Sequence, residues 1–528
     1  MPNRAETFLL KNRKTLLWIL GLLLLYFLVF HNLTRFPEPW FDEGSHLHVP
    51  KTLVKYGVYA DISSEGFRYY GPTIGVGPTI MLPIAAAFKL FGIGLLQARL
   101  VMALYLLAAL YMFYRLVEHL AGKRLAWIAL ALLLSSRSVL FLQYGRQLLG
   151  EVPGFFFILL ALYLWFSRWN ENDWKRLALI GLFFGLAMIT KYQYLLFLAP
   201  ALILSWLLDI FYYKTSTHRN FLIPGIVAAA SFGIWQLLTL QYLGPSTALE
   251  NLALLRASAE KAAFNFSLTQ IDANFEELTA RAVYLGTAFP AFLYGFLISL
   301  PRTREGQKWS VLFLLMALNL VWFVVASIGW IRYAFLGLSL SSVFIARLFW
   351  ALTDGFHFDW SAGRLRSLFE AQNAPRIALS LWLIAIIVMP LCKTMLDIAA
   401  PPPPYAMQMA AYLNENIPLD AVIETWEPEM GFLTDHNYHY PPNALLAVAV
   451  DHVYYEGEPV QEHYNFIQTE KPPYLLVGIF SKWTEIYPLE ELKEHDEQEE
   501  QEEHEELSGQ YELIATFGDY DLYRRVEK

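Results

Sequence analysis

The feature that most constrains this chain is the recurrence of apolar runs. From Leu16 to Leu396 the sequence supplies one mostly apolar stretch after another, many near the roughly 20 residues a helix needs to cross a hydrocarbon core. In lipid such runs must be helical, because no water is present to satisfy free backbone groups. The 528 residues would otherwise suit several soluble domains, but 56% are hydrophobic and only 16% charged, with a mean hydropathy of +0.36. The expected spans are 16–30, 96–117, 125–142, 152–168, 176–190, 192–211, 221–242, 282–300, 309–327, 331–352 and 376–396, about eleven in all. Residues 78–92 are apolar but short and carry Pro78 and Pro83, which predicts an interfacial or re-entrant helix. Arg4, Lys11, Arg13 and Lys14 precede the first run, but Phe30-His-Asn-Leu-Thr-Arg35 lacks a small-residue cleavage site. That run is therefore expected to be retained as a span.

Loop cations set the expected orientation. With a cytoplasmic N-terminus, Lys123, Arg124, Arg168, Lys175, Arg176, Lys214, Arg219, Arg302, Arg304, Lys308, Arg364, Arg366 and Arg376 all fall on the inner side. The short outer loops hold only Arg146, Lys191 and Arg332. The region after residue 400 is then extracytoplasmic. The chain's net charge of −9 is concentrated there, against a net basic remainder, so that charge says nothing for or against nucleic acid, and no nucleic-acid partner is expected. Pro401 to Pro404 form a stiff spacer. A helix over 405–416, strands over 421–426 and 474–480, and a hairpin of 511–517 with 520–526 through Gly518-Asp519 predict an α/β domain. Residues 490–506 are almost entirely acidic and read as a solvated insertion. The expected fold is thus an α-helical polytopic membrane domain, 1–400, followed by an extracytoplasmic α/β domain, 401–528. Cys392 is the only cysteine, which leaves no disulfide within the chain.

The outer loop 31–95 is too long to be a mere connection. It opens with Phe36-Pro-Glu-Pro-Trp-Phe-Asp-Glu-Gly-Ser-His-Leu-His48. Asp42 and Glu43, boxed by Trp40 and Phe41 just outside a span, suit a general base tuned by partial burial. They also suit a divalent cation, Mg or Mn, with His46 or His48 as further ligands. The spacing of those histidines fits one face of a strand better than a helix. An N-cap role for Asp42 before a helix over 43–56 is the plainer alternative. Arg146, Lys191 and Arg332 sit at membrane depth on the side that disfavours cations, so each needs an anionic partner or reaches out to lipid phosphate. A substrate phosphate suits Lys191 and Arg332 first and Arg146 next. Glu151 opens the fourth span. It can pair with Arg146, a metal or a sugar hydroxyl, or simply favour the helix N-terminus.

Taken in order, these residues resemble the GT-C class of membrane glycosyltransferases, in particular glycosyltransferase family 39. The resemblance rests on Phe41-Asp42-Glu43, Lys89-Leu-Phe-Gly92, Ala98-Arg99-Leu100, Trp330-Ile-Arg-Tyr333 and Gly518-Asp-Tyr-Asp-Leu-Tyr-Arg524. It implies a polyprenyl-phosphate-sugar donor, an acceptor that is protein, lipid or glycan, and inverting transfer with Asp42 as base. Lys191 and Arg332 would steady the departing phosphate, and Glu43 and Glu151 would position the acceptor or a metal. A bacterial plasma membrane is the expected location. Many relatives carry Lys-Pro-Pro in this outer loop, where this chain reads Val76-Gly-Pro-Thr79, so the resemblance shifts the phosphate ligand to Lys191 and Arg332. The alternative is a transporter or flippase. It predicts charges near the bilayer midplane or matching broken halves, whereas here the charges sit at span ends and no internal repeat is present.

Overall fold

The computed structural model describes residues 4–69, 75–169, 171–279, 283–357, 373–455, 457–466, 471–488 and 510–526. The acidic insertion 490–506, the loop residues 71–74 and the inner cations Arg364 and Arg366 lie outside them.

Each expected span contains a helix. Among the described residues six helical segments are long and apolar enough to cross a bilayer: Leu95–Ala121, Tyr192–Tyr213, Arg219–Leu243, Arg304–Ala326, Ile331–Leu352 and Ala374–Ala399. Others are shorter than their apolar runs suggest. The run 125–142 is helical only over Lys123–Ser135, and a separate short helix, Phe141–Arg146, follows. The run 282–300 is helical over Ala288–Ser299. At 1.5 Å per residue, helices of 13 and 12 residues reach only about 20 Å, short of a full crossing. Hydropathy reports apolar surroundings: Lys123–Ser135 packs Leu125, Leu132 and Leu133 against neighbouring helices, whereas Ala288–Ser299 buries only small residues and turns Phe289, Leu293, Phe296 and Leu297 outward. Helices Arg219–Leu243 and Ala374–Ala399 instead turn most of their apolar side chains outward, which in a membrane is toward lipid. Pro78–Phe91 has 14 residues, too few to span, and packs Ile80, Met81, Ile84 and Phe88 inward while Leu90 and Phe91 face out.

The C-terminal region is α/β. The spacer leads into helix Tyr405–Asn416. A five-stranded mixed sheet follows, built from β1 (Val422–Thr425), β2 (Asn437–His439), β3 (Tyr474–Val477), β4 (Tyr511–Phe517) and β5 (Tyr520–Arg525), in the order β2-β1-β3-β5-β4. β1 runs parallel to β2 and β3, whereas β5 is antiparallel to β3 and β4. The β4–β5 turn has Gly518 at φ 58°, a left-handed conformation that glycine adopts without strain. The predicted strand over 474–480 stops at Val477, and Ile479–Thr484 is a short helix.

The first outer loop and this domain form one packed unit. Helix α1 (Phe41–Tyr56) lies on helix α2 (Pro428–Leu433) so closely that a Cβ on Gly44 would stand 2.3 Å from the Glu429 nitrogen. Lys51 Nζ donates to the carbonyls of Gly431, Phe432 and Thr434 at 2.7, 3.1 and 2.5 Å. It thereby caps the C-terminal carbonyls of α2, where a cation is favoured. Phe41 stacks on Phe480 with centroids 3.8 Å apart.

Candidate active site

The site begins where α1 begins. Asp42 and Glu43 are neighbours on a helix, so their side chains diverge by about 100°. Asp42 turns toward Arg332, and the two form an ion pair. Arg332 Nε lies 3.2 Å from Glu151 Oε1, and Glu151 is also paired with Lys191. Two carboxylates and two cations from four distant segments thus meet as a charge-balanced cluster. The Arg332 guanidinium lies 4.0 Å over the Trp330 ring and 5.5 Å from that of Trp40, a favourable cation–π setting. Although Arg332 Nε and Nη1 are at ion-pair distance from carboxylates, neither makes an aligned hydrogen bond, and the same holds for Asp42 Oδ2 and Glu151 Oε2. A narrow crevice of about 10 Å³ opens between Glu151, Lys191, Tyr194, Arg332 and Tyr333.

Small residues let this cluster close. Lys191 forms an antiparallel bridge with Val76, and the Gly77 N–H donates to Thr190 O at 3.1 Å. A Cβ at Gly77 would stand 2.0 Å from Ile189 O, and one at Gly150 would meet the Lys191 side chain at 2.9 Å. The Tyr194 hydroxyl donates to Glu151 O at 2.5 Å. The stretch Val76-Gly-Pro-Thr79, which holds no lysine, therefore lies directly beside Lys191. The cation at this place comes from a different segment of the chain.

Several expected site residues lie elsewhere. Glu43 does not face the crevice. It is fully buried, accepts from Arg99 Nε and Nη2 at 2.9 and 2.5 Å, and accepts from the Leu148 N–H at 3.1 Å. A carboxylate so saturated is an anchor and leaves no lone pair for acceptor or metal. Arg146 is likewise buried and donates to the carbonyls of Phe36, Leu28 and His31 at 2.9, 2.8 and 2.5 Å. It tidies the end of the first span instead of meeting a phosphate. Asp42 is no N-cap: Trp40 holds that position, and no side chain caps the helix. His46 and His48 lie on α1, not on a strand, and diverge. His48 bridges Asp61 at 2.6 Å and Pro428 O at 2.7 Å. His46 stays near the cluster and donates from Nδ1 to Leu148 O at 2.8 Å. Burial holds its imidazole below the usual value, despite nearby Asp42, which favours the neutral form. For the divalent ion, no group of three His, Cys, Asp or Glu side chains converges among the described residues; Asp42 and Glu151 converge on Arg332 instead.

The C-terminal domain adds residues that sequence reasoning missed. Helix α3 (Leu445–Tyr455) brings Tyr454 close enough to feel the charges of Arg332 and Asp42, and Trp483 and Phe480 lie next to it. An exposed Trp in a polar context, Ser481-Lys-Trp-Thr484, was the only signal.

Residues 76–235 match the family model described as dolichyl-phosphate-mannose-protein mannosyltransferase. No curated protein sequence matches. Among solved structures, ArnT from Cupriavidus metallidurans, in a crystal structure bound to undecaprenyl phosphate, superposes with a TM-score of 0.64 at 12% identity over 98% of both chains. The oligosaccharyltransferase AglB from Archaeoglobus fulgidus, in complex with an inhibitory peptide and a dolichol-phosphate, superposes with a TM-score of 0.53 at 14% identity, over 92% of this chain and 72% of that one. At such identities the likeness establishes the fold, a polytopic membrane domain followed by a C-terminal domain.

Proposed function

We propose that this GT-C-type integral membrane protein is a glycosyltransferase that moves a sugar from a polyprenyl-phosphate-linked donor to an acceptor hydroxyl. Transfer takes place on the extracytoplasmic face of a bacterial plasma membrane and inverts the anomeric carbon. The observation that carries this reading is the convergence of Asp42, Arg332, Glu151 and Lys191. The orientation draws its support from the loop cations, which crowd onto the face opposite this cluster.

The cluster has the charges the reaction needs. A polyprenyl-phosphate sugar is a phosphodiester with one negative charge, and Arg332 and Lys191 are placed to receive its phosphate. As the acceptor oxygen attacks the anomeric carbon, the sugar–phosphate bond breaks and its electron pair goes to the phosphate, which gains a second charge. Asp42 takes the acceptor proton and loses its own charge in the same step. The total charge of the site is unchanged, so no ion must be drawn from water while the barrier is crossed. Arg332 exchanges Asp42 for the phosphate when donor binds, which frees the carboxylate to act as base. Glu151 holds both cations in place throughout. Phosphate departs without protonation, and a second carboxylic acid of the glycosidase kind has no task here.

The donor lipid has a matching place. An apolar cavity of about 200 Å³ lies between Phe275, Leu278, Phe289, Phe292, Val321 and Val324. Its lining residues Leu320 and Leu338 lie one and two positions from Asn319 and Leu336, which line the charged crevice. An isoprenoid chain fits such walls.

The test is transfer of radiolabelled sugar from membrane polyprenyl phosphate, wild type against Asp42→Asn at matched expression. Loss of a base is expected to cost about a hundredfold or more. Equal transfer by the variant would remove Asp42 from the mechanism.

A further inference from the structure

The charged cluster is surrounded by aromatic rings drawn from both domains. On the membrane side, Trp40 and Trp330 lie 5.7 Å apart edge to face, and Trp330 and Tyr333 are 5.9 Å apart. On the other side, Phe41 stacks on Phe480, which lies 6.0 Å from Trp483, itself 5.9 Å from Tyr454. Tyr454 completes the set: the next residue of its helix, Tyr455, bonds to Lys261 O, and the neighbouring Ala262 O accepts from the Ile328 N–H at 3.3 Å, two residues before Trp330. All seven rings are partly accessible, and Trp483 is 45% exposed. α3 is held over the site by the Lys261–Asp451 ion pair at 2.5 Å and by the Tyr455 hydroxyl, which donates to Lys261 O at 3.0 Å.

Phe41 and Phe480 cover one another's faces and Arg332 lies over Trp330, which leaves Trp483 and Tyr454 as the accessible pair, and such a pair selects its ligand chemically. Pyranose rings present a face of polarised C–H bonds that stacks on the negative face of an aromatic ring, and their hydroxyls project edgewise toward groups such as Asp42. An extended polypeptide is instead captured through a free strand edge. Among the described residues one edge of the sheet, β2, is covered where the Ser64 N–H donates to Tyr438 O at 2.7 Å, and β4 is the opposite edge.

We infer that Tyr454 and Trp483 form an acceptor subsite that stacks a sugar ring, so that the acceptor is a glycan or glycolipid rather than a polypeptide. This rests on the glycosyltransferase reading, and its test is chosen to stand apart from turnover. Full-length protein in nanodiscs is mixed with maltose or with N,N′-diacetylchitobiose, and saturation-transfer NMR reads contact with the sugar ring protons. The expected result is saturation of ring protons in at least one disaccharide by wild type. The signal should fall at least fivefold in Trp483→Ala and be restored in Trp483→Phe. A thermal melt of each variant separates lost contact from lost fold. Saturation of neither sugar overturns the inference. So does a signal unchanged in Trp483→Ala, or stronger saturation of a Ser/Thr-rich heptapeptide. No donor and no transfer enter this measurement, so failure of the radiolabel assay would strike the glycosyltransferase reading separately.

Discussion

Asp42 and Glu43 are adjacent carboxylates, each paired with an arginine, and the two pairs differ in every respect that matters for chemistry. Glu43 and Arg99 are sealed, with both side chains 0% exposed. Both carboxylate oxygens are engaged, and Arg99 Nη1 also donates to Leu33 O and Pro37 O at 2.7 Å each. Asp42 and Arg332 are 22% and 9% exposed, and their polar atoms are near one another without aligned hydrogen bonds. A buried pair with every lone pair satisfied resists any change of partner, because desolvation makes each alternative costly. A partly open, poorly aligned pair can trade one anion for another. One residue step along a helix separates a scaffold pair from the proposed reaction centre.

Substitution should break the comparison cleanly. Asp42→Asn is expected to leave the fold intact and to lower transfer by about 10²–10⁴-fold, with an unchanged melting profile as the control. Glu43→Gln is expected to act on stability instead. It leaves Arg99 buried without its counter-ion, which costs about 3–5 kcal/mol, read as a lowered melting temperature and poor recovery from detergent extraction. Removing both charges with Glu43→Gln and Arg99→Met should regain part of that loss. If Glu43→Gln melts like wild type, the distinction between the two pairs fails.

The comparison also measures how far sequence reading reached. Apolar runs marked the helices because lipid permits little else, and the positive-inside pattern isolated Lys191 and Arg332 as outer cations without obvious escape. Those two do meet, at Glu151. Arg146 passed the same filter and points the other way, since hydropathy gives a residue's depth and not its direction around the helix. Glu43 was misjudged for the same reason. Tyr454, Phe480 and Trp483 were invisible because their place depends on how the C-terminal domain docks on α1. That docking is set by contacts such as Gly44 on Glu429 and Lys51 on the end of α2, which carry no local pattern.

Lys191 sharpens the comparison further. Lys191 is bridged to Val76 of the outer loop. Lys191→Ala should lower transfer by about a hundredfold, the usual scale for one electrostatic stabiliser of a transition state. Lys191→Arg should retain much of the activity. A rescue by placing lysine in the outer loop, Val76→Lys in the Lys191→Ala background, would locate the shared task as phosphate contact. Loss in Lys191→Ala with no rescue by either Lys191→Arg or Val76→Lys would instead assign Lys191 only to holding Glu151.

The smallest effect concerns a carboxylate pair that sits behind Asp42. Glu427 accepts from the N–H groups of Gly478, Phe480 and Ser481 at 3.2, 3.3 and 2.8 Å, and Glu429 accepts from the Tyr520 hydroxyl at 2.8 Å. Burial, and then the charge of Glu427, push the Glu429 carboxyl well above its usual value. A carboxyl whose folded pKa is raised favours folding most at low pH, where it is protonated in both states. That contribution fades as pH rises from the unfolded value through the folded one. Wild type should therefore lose thermal stability over this range, by a few degrees. Glu429→Gln, which keeps the neutral form at every pH, should flatten the slope and melt higher than wild type at alkaline pH. Because α1 rests on the backbone of Glu429, the same titration loosens the seat of Asp42. Transfer by wild type should then fall more steeply at alkaline pH than transfer by Glu429→Gln, and parallel profiles would show that the two carboxylate systems are uncoupled.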